Sequence, residues 1–297
     1  MRGKTFLIVG SFLIVGCAIP RAEQTAIERF HFDIAGRSRL EVRLDEGSIN
    51  VIGTSSKELS IVVTKKARAH SEEGALALLA ELDVDARQQG DRVQIEVRLR
   101  TGSRPERRGI SVHSSFVRSD VEVRVPRETD LMLITEDGRI EVENVAGNVE
   151  TETNNGRLRL REIEGAVRSR TSDGSIVGID LTGDVDVSTG DGRIELAGNF
   201  GRLTAITSDG SIKVRCTMDC DSPEDWMIRS SDGSITLTLP SDFSAELEAS
   251  TGDGRIVNEL PITKSMESKT RIKGTIGSGG KLVVLRTSDG RITIRSK

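Results

Sequence analysis

Between Gly138 and Val214 apolar and polar residues alternate in short runs, and each run opens on a glycine. The glycines recur every nine residues, at Gly138, Gly147, Gly156, Gly165, Gly174, Gly183, Gly192, Gly201 and Gly210. Two places after each comes an aliphatic residue: Ile140, Val149, Leu158, Val167, Ile176, Val185, Ile194, Leu203 and Ile212. Alternation with period two marks a strand that buries one face. Some five alternating positions span roughly 17 Å. The remaining residues form a turn, where glycine supplies backbone angles closed to other residues. β-Branched residues are frequent, and so short a repeat leaves no room for a helix.

Every second glycine follows a polar turn, TED, TNN, TSD, TGD or TSD, while the others follow NVA, EIE, DLT and GNF. The full repeat is therefore eighteen residues built from two unlike halves. Two arrangements satisfy it: a parallel β-solenoid with one coil per eighteen residues, or an antiparallel meander in which each Asp-Gly or Asn-Gly closes a hairpin. Three features favour the solenoid. The register holds without slip, as stacking demands. The halves differ consistently. Threonine recurs before the polar turn at Thr135, Thr153, Thr171, Thr189 and Thr207, as in an inward ladder of hydroxyls. The expected fold class is all-β, a right-handed parallel β-solenoid with 18-residue coils and an N-terminal mixed region of strands and one helix as its cap. Eight or nine coils at roughly 4.8 Å make a rod on the order of 40 Å.

Outside the array the pattern changes. Residues 1–16 read as a secretory signal peptide, with Arg2 and Lys4 ahead of an apolar run too short to span a membrane. Ile14-Val15-Gly16-Cys17 resembles the lipobox of bacterial lipoproteins, which implies a lipid on Cys17; an ordinary signal peptide cut near Ala18 is the alternative. Multiple acyl chains would make the attachment stable, and Ala18 at the next position permits sorting to an outer membrane. Residues 17–36 are the lipidated tether. Residues 37–128 hold strands around Leu40–Leu44, Leu59–Val63, Val93–Leu99 and Val121–Val125, and a helix over 71–87 capped by Ser71. The helix lines up Leu76, Leu79 and Leu82. A solenoid end needs covering, and this region is read as the cap, with room for early coils. The array runs from 129 to 297, with insertions at 215–229 and 259–280 that are expected to become loops on its side.

Candidate chemistry is sparse. Asp137, Asn155, Asp173, Asp191, Asp209, Asp232, Asp253 and Asp289 precede glycines and would stack on one edge. Asp173, Asp191 and Asp209 are a weak calcium ladder, but the turn pattern of calcium β-rolls is absent, and carboxylates closing their own Asx-turns explain the residues as well. No metal and no cofactor is expected. Arg139, Arg157 and Arg193, with Glu141 and Glu195, face outward as solvated charge, or as a polysaccharide groove like that of pectate-lyase-like β-helix enzymes. His31, His70 and His113 lie outside the array, which leaves it without a histidine for catalysis. Cys216 and Cys220 can form a disulfide if Thr217–Asp219 turn tightly; free thiols are the other reading. Net charge is −4, with aromatic content of 3%, which disfavours nucleic acid as a partner.

The NGR, DGS and DGR turns followed by Ile or Leu resemble the putative-adhesin family of bacterial cell-envelope proteins, a family of unknown function. So does VEVRVP leading into LMLITEDGRIEV. The resemblance covers roughly residues 37–297 and extends to head-domain auto-transporter adhesins that fold as right-handed parallel β-helices. The lipobox, together with a long repetitive face that has no catalytic cluster, leads to the expectation of a lipid-anchored, non-catalytic binding or scaffolding protein, held to the membrane by its lipid. It would stand on the outer membrane or its periplasmic face, or on the cell surface where there is no outer membrane. An envelope glycan or a surface protein would be its partner. The alternatives are a polysaccharide-processing enzyme and an envelope-stress regulator.

Overall fold

The computed structural model describes residues 8–11, 22–100, 116–217, 220 and 224–297. Cys17, His113 and most of the leader lie outside the described residues. Strands dominate, and the one helix among the described residues is Glu72–Glu81. The chain divides into two compact units, one ending at Ile140 and the other running from Glu141 to Lys297.

In the first unit the long strand Ser38–Thr54 is central. Its first half pairs parallel with Arg92–Leu99 on one side, Leu40 against Val93, and with Thr129–Asp137 on the other, Leu40 against Leu131. Its second half pairs parallel with Phe116–Pro126, Ile49 against Val121. Antiparallel strands lie outside these. Glu58–Ala69 flanks Phe116–Pro126, Ala22–Asp33 flanks Glu58–Ala69, and Ile8–Ser11 follows at the edge. Alternate side chains of the central strands, Leu40, Val42, Ile49 and Val51, are buried completely or nearly so. A strand early in the chain thus lies between segments that follow it.

The helix is shorter than the sequence pattern predicts. Ser71 does cap it, its Oγ accepting the Gly74 amide at 3.1 Å. It stops at Glu81, and Leu82–Gln89 is a strand antiparallel to Arg92–Leu99. Cross-strand partners for Val84 and Ala86 outweigh the helical propensity of that stretch. Its buried face is Ala75 and Leu79, while Leu76 is exposed.

The second unit carries two series of parallel pairs. In one, Val149 lies against Val167, Val167 against Val185 and Val185 against Leu203. In the other, Leu158 lies against Ile176, Ile176 against Ile194 and Ile194 against Ile212. Each partner is eighteen residues further along the chain. Beyond Ile212 and Leu203 the sequence order fails. Ile235 pairs with Ile292, and Ile292 pairs with Ile256. Likewise Trp226 pairs with Val283, and Val283 with Leu247. The final strands, Leu282–Thr287 and Ile292–Ser296, are therefore inserted between strands that precede them. Segment 259–280, expected as a side loop, instead contains the hairpin Ile262–Glu267 and Arg271–Ile276, which extends the sheet antiparallel from Ala245–Thr251.

The two halves of the repeat differ because their turns close differently. At the polar turn the buried Thr189 Oγ1 donates to the Gly174 carbonyl (2.9 Å) and accepts from the Gly192 amide (3.3 Å). Thr207 bonds Gly192 and Gly210 in the same way, Ser230 bonds Gly210 and Gly233, Thr287 bonds Gly233 and Gly290, and Thr251 bonds Gly290 and Gly254. The hydroxyl ladder expected from the threonine spacing continues through Ser230, Thr287 and Thr251. Asp173, Asp191 and Asp209 do not close these turns. The carboxylates of Asp173, Asp191 and Asp209 make no hydrogen bond among the described residues, while their backbone amides donate to Asn154, Ser172 and Gly190 carbonyls. The other turn is made by residues in left-handed conformation, Asn144 (φ 58°), Glu162 (φ 53°) and Asp180 (φ 55°).

One hydroxyl of the threonine series has no role. Thr135 Oγ1 is buried without a hydrogen-bond partner among the described residues; its neighbour in register is Leu44, which has no hydroxyl. Thr189→Val should cost about 1–3 kcal/mol, because it strands the buried Gly174 carbonyl and Gly192 amide. Thr135→Val should change stability by less than about 0.5 kcal/mol, or raise it, because it removes a buried polar atom that nothing satisfies. Urea unfolding of the two variants, run side by side, measures the difference.

Candidate functional site

On the outward side of the series that begins at Val149, register lines side chains into rows that cross the strands. One row reads Glu150, Arg168, Asp186, Thr204, Met227, Val284, Glu248, Lys273. Its charges are largely matched: Arg168 pairs with Asp186 at 3.6 Å and Lys273 with Glu248 at 2.6 Å. The Lys273 ammonium, by hydrogen bond and charge, holds the Glu248 carboxyl below its ordinary value.

The next row reads Arg170, Ser188, Ile206, Arg229, Arg286, Ser250, Arg271. It contains four arginines, and Glu152 continues it at one end as the register partner of Arg170. All four are exposed, and none makes an ion pair among the described residues. Arg229 and Arg286 are direct register partners. Two such charges at about 4.8 Å repel by roughly 0.9 kcal/mol in water. Met227 (49% exposed) and Ile206 (37% exposed) lie beside them. Sequence reading missed this row, because its members come from segments as far apart as residues 170 and 286. The signal available was only that each arginine sits at an outward position of an alternating strand.

The sequence-predicted candidates fall elsewhere. Arg157 and Arg193 are exposed at turns, Arg157 Nε donating to Ser175 Oγ at 3.3 Å. Arg139 lines a groove of about 580 Å³ in the first unit with Glu46, Ser48, Arg118, Asp120 and Asp137. Asp120 is already engaged there: burial works against its charge, but Lys66 and Ser48 hydrogen bonds outweigh it and keep the carboxyl low. Asp173, Asp191 and Asp209 are exposed, and no group of three His, Cys, Asp or Glu residues is placed to hold a metal ion among the described residues. His31 pairs in register with Ser60, and His70 lies just past the far end of the same strand, so the structure does not bring these two together.

Cys216 and Cys220 are bridged, with α-carbons 6.3 Å apart. The bridge closes the base of the segment after Ile212–Cys216. Buried Lys281 donates to the Cys220 carbonyl and lies 5.0 Å from the Trp226 ring centroid and 4.7 Å from that of Phe243. Aromatic faces attract a desolvated ammonium, which makes this cluster a lock on the insertion.

In the first unit Glu41 is the most strongly perturbed acid. Hydrogen bonds from Arg43, Gln94 and Arg92 outweigh burial and lower its carboxyl from 4.5 to about 2. A carboxyl lowered on folding stabilises the fold above its unfolded value, and that stability is lost as pH falls. Between about pH 4.5 and 2 the wild type should lose about 3 kcal/mol from this group. Glu41→Gln should be less stable at pH 7 and lose correspondingly less across that window. Denaturant midpoints taken every half pH unit check it.

These features define an all-β, repeat-like protein with one helix among the described residues, whose exposed surface is set by strand register. Residues 37–295 match the model of the Toastrack DUF4097 family, and the chain belongs to that family. Three solved structures match the chain over most of its length. A putative adhesin from Parabacteroides merdae is 12% identical, with 91% of this chain and 96% of that one covered and a TM-score of 0.46. A putative adhesin from Bacteroides fragilis is 9% identical, with 91% and 97% covered and a TM-score of 0.38. A putative lipid binding protein from Parabacteroides distasonis is 13% identical, with 91% and 96% covered and a TM-score of 0.39. No curated protein matches the chain. No helix among the described residues is long and apolar enough to cross a membrane.

Proposed function

We propose that this chain is a non-catalytic binding or scaffolding module of the bacterial cell envelope, held at a membrane by a lipid on Cys17. Its second unit is a right-handed parallel β-solenoid with eighteen-residue coils, and its binding surface is the outward side of the strands that carry Arg170, Arg229 and Arg286. The observation that carries this reading is the register pair Arg229 and Arg286, two exposed arginines side by side that make no ion pair among the described residues, with Arg271 one strand beyond Ser250. Two like charges held side by side at Arg229 and Arg286, next to exposed Met227 and Ile206, make a surface suited to a partner. The lipobox-like Ile14–Cys17 supplies the anchor.

Crosslinking in intact bacteria, followed by fractionation, tests both halves. The wild-type chain should sediment with membranes and yield an envelope glycan or surface protein as a crosslinked partner. Cys17→Ser should move to the soluble exported fraction. A Cys17→Ser chain that still sediments overturns the lipid anchor, and a wild-type chain without crosslinked material overturns the binding role.

A further inference from the structure

The row of arginines also has a pattern along its length. From Arg170 to Arg271 it crosses six strand intervals, about 29 Å at ~4.8 Å each. Guanidinium groups stand on the first, fourth, fifth and seventh strands, serines on the second and sixth, and Ile206 on the third. It is one side chain wide. The adjoining row carries Asp186 and Glu248, and Glu246 lies a further two residues along its strand. Arg168 and Lys273 match Asp186 and Glu248, so a planar anionic surface such as a membrane would find excess positive charge along one narrow row only. A single linear chain would meet only the arginines. Arginine binds carboxylate and sulfate-like groups through paired N–H donors. Serine hydroxyls serve sugar hydroxyls, and Ile206 offers a small apolar patch for the carbon face of a ring.

Building on the binding role above, we infer that this row binds a linear acidic polysaccharide, laid across the strands with its carboxylates on Arg229 and Arg286. Nucleic acid fits less well, because the row holds no aromatic residue on which a base would stack. The charge-matched adjoining row leaves the chain one track, with Arg271 at one end and Arg170, beside Glu152, at the other.

The test uses the full-length chain in detergent and fluorescein-labelled polygalacturonate, with binding read by fluorescence anisotropy. The wild type should bind, and more weakly as salt rises, because the contacts are exposed ion pairs. Arg229→Ala with Arg286→Ala should weaken binding at least ~10-fold, the loss of one or more hydrogen bonds between charged groups. Lys213→Ala with Arg215→Ala removes the same charge from the other series of strands and should leave binding within about twofold, each lost contact there being neutral to the ligand. Both residues of that control are exposed. Neither double variant should lower the melting midpoint appreciably, since Arg229 and Arg286 make no hydrogen bond or ion pair among the described residues. Equal loss in both variants would reduce the effect to net charge and overturn the inference. So would undiminished binding in the first variant, or tighter binding to a single-stranded oligonucleotide than to polygalacturonate. If polygalacturonate and dextran both fail to bind while crosslinking still finds an envelope partner, the polysaccharide inference falls and the binding role stands.

Discussion

Gly192→Ala is expected to leave the chain unable to reach its native state, with a cost above about 4 kcal/mol. The reason is space, not backbone freedom. Gly192 is not among the residues with left-handed angles. A Cβ placed on it would overlap the carbonyl oxygen of Gly174 and crowd Thr189 Oγ1 at 2.9 Å. The obstacle is backbone, held by the Thr189 hydroxyl bonded to that same carbonyl at 2.9 Å, so it cannot swing aside as a side chain would. Moving the strands apart would break the hydrogen bonds of both neighbours, since Gly192 also accepts from Thr207 through its carbonyl at 3.2 Å. Gly90→Ala is the comparison. Gly90 does have a left-handed angle (φ 61°), but an added Cβ meets nothing within 4 Å, so the cost is backbone strain of about 1–2 kcal/mol. Soluble yield and circular dichroism melts of the two variants separate crowding from conformational strain.

Trp226→Ala should be the most damaging side-chain truncation, at about 3–5 kcal/mol. Trp226 is the one tryptophan of the chain and is fully buried. Its ring meets Phe200 edge-on at 5.9 Å and Phe243 at 5.4 Å, and its Nε1 donates to the Gly201 carbonyl at 2.8 Å. It also forms one face of the pocket that holds the Lys281 ammonium. Truncation leaves a cavity, an unsatisfied carbonyl and a buried cation with one aromatic wall. Trp226→Phe keeps most of the volume and should cost about 1–3 kcal/mol, chiefly for the Gly201 carbonyl. Guanidinium unfolding followed by circular dichroism measures both, because the alanine variant has no tryptophan to report fluorescence.

Much of the second unit was legible because its determinants are local. Alternation about Val149 or Ile176 requires no knowledge of neighbours, and the threonine three places before a glycine meets that glycine's amide within the same turn. The two unlike halves were visible as well, though their cause was not. Asn144, Glu162 and Asp180 hold left-handed angles that no propensity of Glu would have indicated. Where prediction failed, contacts were distant in sequence. Residues 82–89 continue a helix-compatible pattern but gain more by pairing with Arg92–Leu99. The aspartates looked like turn-closing residues because their place before glycine is shared with Asx-turns, and only the position of Thr189 shows that the hydroxyl already fills that role.

The sequence by itself determined which residues point inward, where each turn falls and the eighteen-residue spacing between like positions. These follow from backbone period and from side-chain size at a turn. Only the tertiary structure decided the order in which strands lie beside one another: Ile292 between Ile235 and Ile256, and Ser38–Thr54 between segments that come after it. Parallel strands of similar pattern can pair in any order that keeps alternate side chains buried, so local pattern carries no record of the choice. That order sets Arg286 next to Arg229 and thereby puts two like charges side by side.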